Sequence, residues 1–272
     1  MYFRLPIVLL ALAGTAGAVA NGYAADVSAR RFTAELYAAE ADAPLDYSGK
    51  DLSGLDLSGI DFKRAKLAGT NLFGADLTDA NLSRTDLQHA RLDRTTVLRA
   101  NFAYADLKGA SLIVPAAVVV MEHAAADAPN FANATLVGAR IVGKFWRVNF
   151  READLSRADF SPDTITRRPG KTGSTTNSTS LPTELGACDF TWAKLAGADL
   201  RRVMVRFSTF AGADLTNADL GNADFSKTDL SGADLAGANI AGTNFDGANM
   251  AGVRGLERAQ GREEARNLVG AP

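Results

Sequence analysis

The residues of this chain most able to do chemistry are its aspartates. Asp214, Asp219, Asp224, Asp229 and Asp234 supply the paired carboxylates that hydrolytic acid–base chemistry uses. They recur every five residues, however, and outward Asp side chains bonded to nearby backbone account for such a series without catalysis. Gly170-Lys171-Thr172 is a fragment of a phosphate-binding loop. The full motif needs a Gly five residues before Gly170, where Ile165 stands, and a helix after it, where a Ser/Thr tract follows. His89 and His123 have no ligand or nucleophile at a motif spacing. Cys188, the single cysteine, excludes a disulfide framework and multi-Cys metal sites, and it occupies a slot that is otherwise small, as a buried stand-in for Ala. No catalytic, cofactor or metal residue is assigned. Of the glycosylation triplets, Asn177-Ser178-Thr179 alone falls in an evident loop.

Charge says more locally than in total. The 29 Lys/Arg against 31 Asp/Glu give a net −2, which excludes a polycation that coats nucleic acid. Ordered globular composition follows from 22% charged and 8% aromatic residues with 25 Gly and 8 Pro. Residues 140–206 hold 12 Lys/Arg against 7 Asp/Glu, net +5, and residues 207–250 hold Lys227 against six Asp, net −5. Arg167, Arg168 and Lys171, with Arg201, Arg202 and Arg206, form the richest cationic set. They are the candidate interaction surface, suited to an acidic protein face or an anionic envelope component.

What must position these side chains is a repeat. Every fifth residue is large and apolar from Leu52 through Leu57, Phe62, Leu67, Leu72 and Leu77 to Leu112. The same holds from Phe190 through Leu195, Leu200, Phe210, Leu215, Leu220, Phe225, Leu230, Leu235 and Phe245 to Met250. Two residues before each stands a small one, with Asp or Asn often between, so the unit is Ala-Asp-Leu-x-Gly. A period of five fits neither a helix nor a long strand. It fits a short extended piece with small and large residues inward, followed by a bend, and a chain that bends so regularly winds into a solenoid.

These repeats resemble the pentapeptide-repeat family, whose consensus is A(D/N)LXX, over about Leu52–Met250. The resemblance implies an all-β fold, a right-handed quadrilateral β-helix of four pentapeptides per coil. Short helical caps are expected at its ends. At about 4.8 Å per coil, roughly eight coils make a rod near 40 Å long.

The expected organisation is a secretory signal peptide over 1–24, a helical cap over 25–46, β-helix over 47–160, a Ser/Thr/Gly-rich loop over 161–184, β-helix over 185–252, and a C-terminal cap or tail over 253–272. The signal reading rests on Arg4, the apolar run Leu5–Ala13 and the small residues that follow. The chain is therefore expected to be exported, periplasmic or extracellular, with no membrane span once processed. Residues 113–130 read as an irregular coil, because the step from Leu112 to Phe131 falls one short of a turn of the solenoid. A further residue is lost between Ile141 and Phe145. The expected function is a non-catalytic scaffold or binding protein whose partner is a protein or anionic envelope component, with no cofactor. The family resemblance implies an alternative, a DNA mimic that binds type II topoisomerase; the candidate signal and the near-neutral charge weigh against it, and nucleic acid itself is not an expected ligand.

Overall fold

Each pentad folds around its large apolar residue. In the pentad centred on Leu195, the Ala198 amide donates to the Leu195 carbonyl at 3.0 Å and Gly197 takes φ +66°, a β-turn with its third residue left-handed. The preceding polar residue locks the bend from outside: the Asp76 carboxylate accepts the Thr78 amide at 2.9 Å, and Asp199 that of Arg201 at 3.1 Å. The aspartate series is thus a set of Asx turns. The remaining amides bond along the axis, Leu77 to Thr96 at 2.8 Å and Asp76 to Leu55 at 2.9 Å, so little backbone is left unpaired.

The computed structural model describes residues 25–39, 43–113, 127–166 and 178–268. Parallel bridges join Asp46 to Lys66, Asp51 to Asn71, Asp56 to Asp76 and Asp61 to Asn81, each pair twenty residues apart. Four pentads therefore close one coil. The faces begun by Asp46, Asp51, Asp56 and Asp61 are called the first to the fourth. Leu52, Leu57, Phe62, Leu67, Leu72, Leu77, Phe190, Leu195, Leu200, Phe210, Leu215, Leu220, Phe225, Leu230 and Leu235 are 0% exposed, and Phe245 is 1%. Behind the fourth face, Phe102, Phe131, Phe150, Phe190 and Phe210 form a continuous stack, with successive ring centroids 4.6, 5.3, 4.9 and 4.6 Å apart.

That stack corrects the reading of residues 113–130. Phe131 lies directly on Phe102, and β1 (Ser111–Ile113) pairs with β2 (Arg140–Val142) at the same offset, which exceeds a regular coil by nine. Residues 114–126 of that segment lie outside the described residues, but the flanking offset shows residues added to a coil, and Leu112 and Phe131 belong to different faces. The next step is one short of a coil, as Asn130 pairs with Asn149. There the chain turns from β2 into β3 (Lys144–Trp146) with one residue fewer, through Gly143 at φ +145°. The third step is twice the regular one: β3 pairs with β6 (Glu184–Gly186), and Asn149 with Asp189.

The twenty added residues are not simply a loop. β4 (Asp163–Thr166) and β5 (Ser178–Leu181) form an antiparallel hairpin with four paired positions. Thr and Ile have high strand propensity, which explains how a segment read as turn-rich forms a ladder. The second and third departures fall at the bend between the second and third faces, in successive coils; the first lies between Ile113 and Asp127, where residues 114–126 are outside the described ones.

At the N-terminus, α1 (Ala29–Ala38) starts at Ser28, whose hydroxyl accepts the Arg31 amide at 3.3 Å. It buries Phe32 and Leu36, with Phe32 edge-on to Tyr47 at 4.9 Å. The Tyr47 hydroxyl donates to Glu35, which also pairs with Arg31 at 2.7 Å. The C-terminal segment differs from the expected helical cap. Its described residues contain a single 3₁₀ turn, Leu256–Arg258, and bridges from Arg254, Gln260 and Arg266 down to Asp234, Asn239 and Asn244 lay it over the last coil. Gly255 at φ +70° and Gly261 at φ +71° make corners there that an α-helix would not accommodate. The expected signal segment 1–24 lies outside the described residues.

Candidate functional site

The hairpin creates a polar recess on the solenoid. Ser161 and Pro162 at its start and Ser180 at its end wall a polar cleft of about 470 Å³ against the bend that carries Arg201 and Arg202. Its floor is the ladder of outward residues on the second face. Asp219 accepts the Asn239 side-chain amide at 2.9 Å and the Gly221 amide at 3.0 Å on one oxygen. Gly221 keeps the floor open, since a Cβ there would stand 3.0 Å from that same oxygen.

The predicted cations do not form one patch. Arg201 and Arg202 occupy the bend between the second and third faces; Arg206 lies at the next bend. Arg201 grips Asp199 through two bonds of 2.9 and 2.5 Å and reaches Asp219 at 3.6 Å. Arg206 grips Asp224 at 2.6 and 2.5 Å. Burial pushes the Asp199 carboxyl up, but the Arg201 guanidinium and backbone amide outweigh it and hold the group below its ordinary value. Asp224 is likewise lowered: burial raises it, while Ser226 and then Arg206 bring it down by more. The exposed Arg202 has no ion pair among the described residues, so it alone of the three is available to a ligand. Arg167, Arg168 and Lys171 lie outside the described residues, as does His123.

The cleft can hydrogen-bond and pair charges. It does not assemble a nucleophile with a base: Ser161 donates to Asp159 at 2.7 Å with no imidazole beside it. Among the described residues no cluster of His, Cys, Asp and Glu is arranged for a metal ion. Cys188 is buried, and burial pushes its thiol up to about 12. Asn239 and Gly221 are absent from the sequence-based candidates, and Asp219 stands there only as one of the repeat aspartates, because the hairpin that makes them a floor reads there as a loop. A signal does exist: Asp199, Asp219 and Asn239 are spaced by twenty, one coil each.

A family model described as pentapeptide repeats matches in eight copies, over residues 49–79, 80–113, 183–222 and 213–252. No curated protein matches the sequence. Among solved structures, the chain is similar to HetL, a pentapeptide repeat protein involved in heterocyst differentiation regulation in the cyanobacterium Nostoc. That match has 25% identity and a TM-score of 0.37, covering 79% of this chain and 87% of that one. It is also similar to QnrB1, a plasmid-mediated fluoroquinolone resistance protein, at 18% identity and TM-score 0.33, covering 78% and 93%. A pentapeptide repeat protein from the Arabidopsis thaliana thylakoid lumen matches at 29% identity and TM-score 0.23, covering 44% and 72%.

Proposed function

The chain belongs to the pentapeptide-repeat family, and from that premise we propose that it is an exported, non-catalytic binding or scaffold protein. Its partner, a protein or an anionic envelope component, engages the bend between the second and third faces. One observation carries this reading. The body of the solenoid departs from its regular step three times, by plus nine, minus one and plus twenty, each time after the second face and before the fourth, and the last two at this bend itself. A coil closes without such insertions, and loops that add nothing to the core are where repeat proteins carry recognition. The larger insertion builds the polar cleft and leaves Arg202 free beside it.

The candidate signal over 1–24 supports export to the periplasm or beyond, and no helix among the described residues is long and apolar enough to cross a membrane. Right-handed winding of the coils belongs to the same family-based reading. Mimicry of DNA would need a dominantly acidic surface, and the surface here interleaves Arg with Asp at nearly equal numbers.

Deletion of residues 162–181 tests the proposal, since removing twenty residues restores the ordinary step of one coil. Affinity capture from an envelope fraction should recover a partner with the intact chain and lose it with the deletion, while the far-ultraviolet β signal and thermal midpoint persist. Equal recovery by a folded deletion variant would place the interaction elsewhere.

A further inference from the structure

We infer that a second cleft, beside the N-terminal cap, binds a dianionic phosphate group. It lies on the opposite bend, between the fourth and first faces, and stands independently of the reading above. Ala39, at the end of α1, and the side chains of Asp61, Lys63, Arg64, Asn81 and Arg84 enclose about 480 Å³, room for a phosphate-bearing headgroup or small molecule. Arg64 and Arg84 hold the same slot in successive coils, about 5 Å apart along the axis.

Several cations elsewhere in this solenoid have a carboxylate in a neighbouring coil or pentad. Arg99, in the corresponding slot of another bend, pairs with Asp79 one coil below at 2.6 Å and with Asp127 at 2.9 Å. Arg201 and Arg206 have Asp199 and Asp224. Lys63, Arg64 and Arg84 have no ion pair among the described residues. Among the described residues the one carboxylate lining the cleft, Asp61, accepts the Lys63 amide at 2.9 Å and the Asn81 side-chain amide at 3.3 Å, so it is engaged within its own bend and ladder. Three cations against that one carboxylate leave two positive charges, the match for a phosphate monoester near neutral pH.

Two of the cations are also held in place. The Lys63 ammonium sits 5.3 Å from the centre of the Tyr37 ring and donates to the Tyr37 carbonyl at 3.3 Å. The Arg84 guanidinium lies 4.8 Å from the centre of the Tyr104 ring. Lys63 and Arg64 take φ +46° and +62°, consecutive left-handed residues without glycine, whereas the neighbouring bends use Ser58-Gly59 and Ala68-Gly69. Strain of this kind persists where a site needs particular side chains. Two arginines and a lysine lining one recess favour phosphate oxygens.

Titration calorimetry of the full chain with inorganic pyrophosphate, alongside co-sedimentation with phosphatidylcholine vesicles with and without phosphatidic acid, tests the site. Saturable binding of either probe is expected, weakened by about ten-fold or more in Arg84→Ser. Arg84→Lys should restore part of it. Arg64→Gly should weaken binding likewise while leaving the thermal midpoint unchanged or higher, since glycine suits that backbone, which separates lost binding from lost fold. Binding to vesicles alone identifies a lipid headgroup as the source of the phosphate; binding to pyrophosphate identifies a soluble one. No binding of either probe at about 1 mM, or binding indifferent to all three variants, overturns the inference.

Discussion

At the regular bends other than that of Lys63 and Arg64, a single residue carries the conformational cost, the one two places after the inward apolar side chain. Glycine meets it without strain; Arg157 at φ +56° and Arg202 at φ +59° do not. Arg157→Gly is expected to be neutral or stabilising by up to about 1 kcal/mol in chemical denaturation. Gly212→Ala has the opposite sign. Its φ is +67°, and an added Cβ would overlap the six-membered ring of the exposed Trp192 one coil below, so a loss of about 1–3 kcal/mol is expected. Adding Trp192→Ala should recover the steric part of that loss; if the two changes are simply additive, Trp192 does not cover Gly212. Titration at the N-terminal cap has a definite sign. Burial first, then the Glu35 carboxylate, raises the Tyr47 phenol to about 12 from 10. A raised group contributes below its unfolded value and loses that contribution as pH climbs through the folded one. Cap stability should therefore hold to about pH 10 and fall between 10 and 12, and Tyr47→Phe should abolish this decline.

The pentad is legible in the sequence because one rule, large residue inward every fifth position, acts on every rung. Each core residue from Leu52 to Leu77 and from Phe190 to Phe245 follows from that rule. The joints between rungs are not legible. Counting from Leu112 to Phe131 falls one short of a coil, but phase along the chain does not say which face a residue returns to. That is set by the stacking of Phe131 on Phe102, a contact that spans the whole insertion. The hairpin is hidden for a different reason. Ser, Thr and Gly mark turns, yet Thr and Ile also favour strands, and only pairing across the gap decides between them. At the C-terminus, charged helix formers are overridden by glycine corners and by the open edge of the last coil. The elements should differ in persistence. A two-stranded ladder is marginal alone, so amides of Asp163–Thr166 and Ser178–Leu181 should exchange with solvent far faster than those of Phe131, Phe150 and Phe190. Equal protection would mean that the hairpin is packed as part of the solenoid.

Across the whole molecule the coils consume the apolar side chains, and discrimination is left to the bends. Basic coils over 140–206 meet acidic coils over 207–250, and Arg201–Asp219 and Arg206–Asp224 tie the two zones together. Part of the cationic character seen in the sequence is thereby neutralised within the chain, while Arg202 and the Lys63, Arg64 and Arg84 set belong to the cations that have no ion pair among the described residues. An association through such groups should weaken as salt rises, because screening shortens to about 8 Å at physiological ionic strength. The bend between the second and third faces is the centre of the functional account, and site-directed photo-crosslinking examines it in place. A photoreactive side chain at Arg202 should trap a partner in an envelope fraction, and the yield should fall with added salt. The same side chain at Ala211, on the opposite bend of the same region, should trap none. Crosslinks from Ala211 with none from Arg202 would contradict the account.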